Sequence, residues 1–181
     1  GRDFDIYTTN NIEATQVLLE ACVGRTIDRL VYASSSSVYG DDTPLPMRET
    51  AVPAPLSPYG VTKLAAEHLC NLYHANHGVP CVSLRYFTVY GPRQRPDMAF
   101  HRFLRAAIAS QPIVLYGDGE QTRDFTFVAD AATATANAAT RRVPGRVYNI
   151  GGGSRVSVNQ VLDVVGRLAG RWFVLPYSLI L

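Results

Sequence analysis

This 181-residue sequence has a small net charge and no long apolar run, and each of these features excludes a class of function. The formal net charge is only +2, with 17 basic and 15 acidic side chains. Neither a nucleic acid nor an acidic membrane surface is therefore expected as a partner. The longest largely apolar run, 172–181, is too short to span a bilayer and contains Pro176. No secretory signal is visible in the sequence, and we expect a cytoplasmic protein.

Cysteine is also rare. The three cysteines, Cys22, Cys70 and Cys81, are far apart, and no Cys-x-x-Cys pair occurs. We therefore predict neither a disulfide framework nor a metal site. Two of them fall in helical patterns and one in a strand, so we expect three buried thiols.

The residues that are abundant predict a layered α/β domain. Apolar residues make up 47% of the chain, which is ample for a core. Short β-type runs at 29–33, 80–86 and 146–150 are separated by helical patterns, one of which covers 59–77. A strand, a helix and a second strand in this order predict parallel pairing with a right-handed crossover.

A further helix is predicted at 8–23, with residues 1–7 as the tail of an earlier element. Its predicted buried set is Ile12, Val17, Leu18 and Ala21.

The most informative stretch is Ser57 to Lys63, which has the features of a helix start. Ser57 can cap the helix, and Pro58 suits its first position. Tyr59 and Lys63 are four residues apart and so share one face. A phenol titrates near pH ~10, and a neighbouring ammonium favours its ionised form, so such a pair can act as an acid and base. By itself the pair is also a common chance spacing.

Serines 34–37 follow the strand at 29–33 and precede this helix. A strand that ends in hydroxyls places them at its carboxyl end, where open α/β sheets bind ligands. The alternative is an ordinary polar loop.

Four motifs in order strengthen the functional interpretation. They are Ala33 to Gly40 (ASSSSVYG), Tyr59 to Lys63 (YGVTK), Leu84 to Pro92 (LRYFTVYGP) and Gly117 to Phe125 (GDGEQTRDF). Together they resemble the extended short-chain dehydrogenase/reductases, and most closely the NAD-dependent nucleotide-sugar epimerases of the UDP-galactose and UDP-glucuronate 4-epimerase type. The resemblance covers about Tyr7 to Leu168.

The resemblance implies a Rossmann-like doubly wound parallel sheet that is incomplete. The glycine-rich turn that takes a dinucleotide pyrophosphate has no counterpart, since Gly151 to Gly153 lack the Gly-x-Gly-x-x-Gly spacing at a helix start. We therefore expect residues 1–181 to be a partial NAD(P)-binding domain, with parts of the substrate-binding region at about 88–125 and 146–170. We also expect this fragment to be inactive by itself, and the full-length form to be a possible homodimer.

The resemblance also implies roles for individual residues. The catalytic residues would be Ser35, Tyr59 and Lys63. The NAD-binding residues would be Asn11, Ala33, Ser34, Tyr59, Lys63 and Phe87. The substrate-binding residues would be Ser35, Ser36, Thr88, Arg95 and Arg123.

Four of these assignments have a structural alternative. Asn11 could open the helix, Phe87 could be a core aromatic, and Arg95 could fix its own loop. Arg123 could pair with Asp118 or Asp124.

The implied reaction is 4-epimerisation of a UDP-hexose or UDP-hexuronate through a 4-keto sugar, with NAD as cofactor. A 4,6-dehydratase or decarboxylase on the same fold, or an inactive remnant, remains an alternative. The related dehydratases carry an Asp-Glu pair where this chain has Ser36 and Ser37. Segments 88–92 and 95–99 look more like the UDP-glucuronate than the UDP-galactose enzymes.

Overall fold

A computed structural model describes residues 4–113, 115–170 and 177–178. The helices are α1 (Phe4–Tyr7), α2 (Ala14–Cys22), α3 (Pro58–His77), α4 (Ala99–Ala109), α5 (Val128–Arg141) and α6 (Val158–Ala169). The strands are β1 (Leu30–Ser35), β2 (Cys81–Tyr86), β3 (Thr88–Tyr90), β4 (Leu115–Tyr116), β5 (Thr122–Arg123), β6 (Phe125–Phe127), β7 (Arg146–Ile150), β8 (Val156–Ser157) and β9 (Tyr177–Ser178). The chain divides into two compact units, Gly1–Phe87 with Ala129–Ile150 and Thr88–Val128 with Gly151–Leu181.

The first unit is built on a parallel sheet with strand order β1-β2-β7. Leu30 pairs with Cys81 and Ser35 with Tyr86, so β1 and β2 end at the same level. The helix α3 connects them, as the alternation of elements predicted, and the parallel pairing is confirmed. Both strands therefore deliver their last residues to one edge, which is where the candidate site lies.

Helix α3 begins and ends where the sequence predicted. Ser57 caps it by accepting a hydrogen bond from the Gly60 N–H at 3.0 Å, and Gly78 ends it with a left-handed φ of +67°. Its inner face packs Ala66, Cys70 and Tyr73 into a core that also contains Leu19, Tyr32, Val79 and Cys81.

The N-terminal helical region differs from the prediction in extent and in its buried face. It begins at Phe4 rather than at residue 8, and a π-helical segment, Thr8–Glu13, lies between α1 and α2. Leu19 is buried, whereas Val17 and Leu18 are 64% and 54% exposed. Because apolar residues occupy both sides of α2, periodicity could not tell which side would pack against α3.

The expectation of buried thiols is confirmed for Cys70 and Cys81, and all three cysteines are free thiols. Cys22 is only half-buried, because it is the last residue of α2. No helix within residues 4–113, 115–170 and 177–178 is long and apolar enough to cross a membrane.

The described residues of the second unit form three two-stranded sheets and the helices α4 and α6. Strands β3 and β6 pair in parallel, β5 and β8 antiparallel, and β4 and β9 in parallel. Its core joins α4 and α6 through Phe103, Ala107, Ile113, Leu115, Val161, Leu162 and Val165. A capping box from Ser157 to Gln160 starts α6.

Candidate active site

The first turn of α3 lies directly against the serine segment. A Cβ at Gly60 would lie 2.5 Å from the Ser37 carbonyl oxygen and 3.0 Å from the Pro55 Cβ. Real Cβ atoms do not approach a backbone oxygen so closely, so only glycine permits this packing. The absence of a side chain at Gly60 therefore lets the helix bring Tyr59, which is 36% exposed, to the end of β1.

Lys63 ties the second turn of α3 to the same strand end. Its Nζ donates a hydrogen bond to the Ala33 carbonyl oxygen at 2.9 Å. The same Nζ lies 5.7 Å from the ring centroid of Tyr59 and 5.2 Å from that of Tyr32. The prediction that Tyr59 and Lys63 share one helix face is confirmed. Burial lowers the pKa of the Lys63 ammonium from its usual value.

This lowered pKa gives a pH-dependent stability prediction for Lys63→Met in the complete protein. We expect the variant to unfold at a higher temperature near pH 7, because a partly desolvated charge is removed. In the wild type, the unfolded chain binds more protons than the folded one between the lowered pKa and the ordinary value of 10.5. The contribution of Lys63 to wild-type stability therefore rises with pH across that window, and the advantage of the variant should shrink there. Melting curves at pH 7 and pH 10 measure this, and a variant that melts below wild type at pH 7 contradicts it.

The serines at the end of β1 alternate in direction, as strand residues do. The Ser35 Oγ lies 3.1 Å from the Ser37 Oγ and accepts a hydrogen bond from the Ser37 N–H at 3.1 Å. It thereby caps a short 3₁₀ turn, Ser36–Val38. Ser34 is 4% exposed and its hydroxyl donates to Glu67. The Ser34 hydroxyl is therefore already hydrogen-bonded within the protein. Only the Ser34 backbone is available for the predicted contact with the cofactor.

Asn11 lies inside the π-helical segment rather than at a helix start, so the helix-opening alternative is wrong. Its Nδ2 donates to the Thr62 Oγ1 at 2.9 Å, and Thr62 Oγ1 donates in turn to the Tyr59 carbonyl oxygen at 3.0 Å. A π turn shifts the helix phase and is frequent at functional sites. Asn11 is thus connected through Thr62 to the backbone of Tyr59.

Phe87 follows β2 directly, and Ala33 precedes the serines. The Phe87 side chain is half-buried, and its N–H donates to the Ile150 carbonyl oxygen at 3.0 Å, which extends the ladder with β7. Phe87 is not among the residues of the buried apolar clusters in the described chain. The alternative that Phe87 is a core aromatic is therefore not supported, and its contact with the cofactor stays a prediction.

In the second unit, Arg95 and Arg123 have different surroundings. The Arg95 guanidinium makes a two-point pair with Asp97, with Nε–Oδ1 and Nη2–Oδ2 distances of 3.1 and 2.9 Å. The Arg95 side chain is 75% exposed, and the contact lowers the pKa of Asp97. This is the loop-fixing contact that the alternative for Arg95 describes.

Arg123 is exposed, and its Nη1 donates to the Thr122 carbonyl oxygen at 3.0 Å. Within the described residues it forms no ion pair with Asp118 or Asp124, so that alternative is wrong. Asp124 instead accepts hydrogen bonds from the N–H groups of Gly152 and Gly153, at 2.6 and 3.0 Å. Thr88 starts β3, with its N–H donating to the Asp124 carbonyl oxygen at 3.1 Å.

Sequence reasoning missed two residues beside the site. The ring of Tyr7 meets that of Tyr59 edge-on, with centroids 6.1 Å apart. Residues 1–7 were predicted to be a tail, so no role was expected for this tyrosine. Glu67 lies one further turn along α3 from Lys63, and its spacing of eight from Tyr59 was a usable signal.

Comparison with known proteins shows what the chain is similar to. Residues 3–151 match the family model described as the NAD dependent epimerase/dehydratase family. An uncharacterized UDP-glucose epimerase of Bacillus subtilis is 46% identical over 179 residues, which cover 98% of this chain and 56% of that protein. The UDP-glucuronate 4-epimerase of Thermodesulfobacterium geofontis is 40% identical over 167 residues, covering 92% of this chain and 51% of that protein.

Among solved structures, the UDP-glucuronic acid 4-epimerase of Bacillus cereus, in complex with UDP-glucuronic acid and NAD, has a TM-score of 0.93 at 47% identity. The match covers 98% of this chain and 57% of that one. The chain thus spans about half the length of the relatives that it matches.

Proposed function

The chain belongs to the NAD dependent epimerase/dehydratase family, and on this premise we propose that it carries the acid–base and sugar-binding residues of a UDP-sugar 4-epimerase. One observation carries the proposal. A single helix, α3, holds Tyr59 and Lys63 against the strand end that bears Ser35, through the Lys63–Ala33 hydrogen bond and the close approach at Gly60.

The residues present fit the nicotinamide end of NAD. An ammonium has three N–H donors, and Lys63 gives one to Ala33. It thus has donors for ribose hydroxyls, while the half-buried ring of Phe87 offers an apolar surface at the same sheet edge. NAD, when bound, supplies the hydride acceptor and donor that the sugar carbon requires.

We assign the transfer of the proton to and from the sugar 4-hydroxyl to Tyr59. Its phenolate takes the proton of the sugar 4-hydroxyl, directly or through Ser35, as the C4–H bond breaks and a 4-keto sugar forms. Tyr59 returns the proton to the same oxygen when the ketone, presented by its other face, is reduced. The Ser35 hydroxyl holds that oxygen by a hydrogen bond throughout. Protons and electrons balance over the cycle, and the only net change is the configuration at C4.

We propose that the sugar of the substrate is a uronate. The similarity to UDP-glucuronate 4-epimerases supports this assignment, as do two exposed arginines in the second unit. Within the described part of the chain Arg123 forms no ion pair with a carboxylate, and it is assigned to the diphosphate. Arg95 and Thr88 are assigned to the uronate, whose carboxylate would replace that of Asp97 in the two-point contact. An exposed pair of this kind is weak, so the exchange is accessible.

This assignment predicts the effect of Arg95→Ala in the complete protein. A charge-assisted contact is worth about 1.5–3 kcal/mol, so kcat/KM on UDP-glucuronate should fall by ~10–100-fold. Turnover of UDP-glucose, which lacks the carboxylate, should change by less than about threefold. Arg105→Ala, which removes an exposed arginine of α4, is the matched control and should leave both substrates unaffected. A preference for the neutral sugar that Arg95→Ala does not alter would contradict the uronate assignment.

A further inference from the structure

A buried ion pair lies directly behind the candidate site in the first unit. Arg85 of β2 and Glu67 of α3 are 4% and 2% exposed. The Arg85 Nε lies 2.9 Å from the Glu67 Oε1, and its Nη2 lies 2.7 Å from the Oε2, so both carboxylate oxygens are engaged. Removing two charges from water is expensive, and such a pair is weak evidence for a contribution to stability. We therefore consider which elements of the protein the ion pair holds in place.

The Glu67 carboxylate has a third partner, the Ser34 hydroxyl, which donates to its Oε1. Ser34 is the neighbour of Ser35 in β1, and the strand alternates, so one serine faces inward while the next carries the candidate catalytic hydroxyl. One carboxylate therefore joins the helix α3, the strand β2 and the end of β1.

Tyr59, Lys63 and Glu67 follow one another at intervals of four residues on α3, and so lie on one face. Two of them attach to consecutive residues of β1: Lys63 to the Ala33 carbonyl oxygen and Glu67 to the Ser34 hydroxyl. One attachment fixes a single point of the helix on the strand. Two attachments, a turn apart, fix both its height and its orientation.

The network continues into the loop that leads to α3. The Arg85 guanidinium carbon lies 4.7 Å from the ring centroid of Tyr39, and the Tyr39 hydroxyl donates to the Asn149 Oδ1 at 2.7 Å. Asn149 in turn donates from Nδ2 to the Met47 carbonyl oxygen at 3.0 Å and from its N–H to Glu49 at 2.8 Å. The proline-rich loop before Ser57 is thus held to the same polar network as the helix itself.

We propose that Glu67, through Ser34 and Arg85, is a positioning residue that sets the placement of Tyr59 and Lys63 relative to Ser35. The inference rests on the proposed function for the chemistry that it assists. Independently of that chemistry, the Glu67 carboxylate fixes the register of α3 on the end of β1. A misplacement of about 1 Å can reduce turnover by ~10²-fold.

The test uses the complete protein and the variants Ser34→Ala and Glu67→Gln. Ser34→Ala removes one attachment and leaves the ion pair intact, so it avoids an unpaired buried charge. The matched control is Tyr73→Phe, which removes the hydrogen bond of 2.6 Å from the Tyr73 hydroxyl to Glu20 near the other end of the same helix. Turnover of UDP-glucuronate is measured beside hydrogen exchange of the amides in the first two turns of α3.

We expect Ser34→Ala to lower kcat by at least ~10-fold with KM within threefold of wild type, and to speed exchange in the first two turns of α3. Glu67→Gln should lower kcat at least as far, and if it does not fold, Ser34→Ala decides the question. Tyr73→Phe should leave kcat within twofold and exchange at 59–65 unchanged. Unchanged exchange in Ser34→Ala, a loss that falls wholly on KM, or an equal loss in Tyr73→Phe would overturn the proposal. If the wild type converts no nucleotide sugar, the proposed function fails, and the exchange comparison still decides the positioning role.

Discussion

Tyr59→Phe in the complete protein should lower kcat for nucleotide-sugar epimerisation by ~10²–10⁴-fold, the usual contribution of a general acid and base. The ring keeps its place, because the T-shaped contact with Tyr7 and the first turn of α3 involve no hydroxyl of Tyr59. Substrate binding should therefore remain nearly intact. Loss of the hydroxyl removes the group to which we assign proton exchange with the sugar 4-oxygen.

The measurement is steady-state turnover on UDP-glucuronate, together with calorimetric binding of the same nucleotide sugar. Tyr7→Phe is the control for the aromatic contact, since it retains both rings and the Tyr59 hydroxyl. A Tyr59→Phe variant that keeps more than half of the wild-type rate would remove Tyr59 from the mechanism.

The family and the parallel α/β fold could be predicted from the sequence, and both are confirmed. The reason is that the informative signals were local. A cap, a proline and a glycine stop define α3, and a run of hydroxyls marks the end of β1. These signals can be recognised without knowing which residues they contact in the folded protein.

The polar interior could not be predicted, because it depends on pairs that are distant in sequence. Arg85 is the sole charged residue in the segment 80–86, which signals a buried partner without naming it. Glu67 becomes that partner only once α3 has packed across β1 and β2. The same limit applies to the N-terminal helix, where a π turn and a choice between two apolar faces decided which side chains were buried.

One sequence signal was overlooked. Lys63 is the single lysine of the chain, beside sixteen arginines. Every other basic position is occupied by guanidinium, which is planar, permanently charged and larger. A compact ammonium with a pKa that burial can lower is present at the one position where the proposed chemistry calls for it.

Gly60→Ala should lower kcat almost as much as Tyr59→Phe, although it adds only a methyl group. The new Cβ would meet the Ser37 carbonyl oxygen at 2.5 Å and the Ser37 carbonyl carbon at 3.2 Å. These are backbone atoms beside the candidate catalytic serine, and they cannot rotate away. Either the first turn of α3 lifts from the end of β1 or the 3₁₀ turn after Ser35 moves. Overpacking of this kind costs about 1–3 kcal/mol of stability, and an ångström of displacement at the site reduces kcat by ~10²-fold.

A glycine with a different constraint supplies the control. Gly24 has a left-handed φ of +70°, and among the described residues no atom beyond its two chain neighbours lies within 4 Å of the position that a Cβ would take there. Gly24→Ala therefore introduces backbone strain of about 1–2 kcal/mol without a collision. The two variants should lose similar thermal stability in melting curves. Only Gly60→Ala should lose turnover on the nucleotide sugar, because only there does the added methyl separate Tyr59 from Ser35. Equal activity in the two variants would show that the contact between α3 and the serine segment is not what assembles the site.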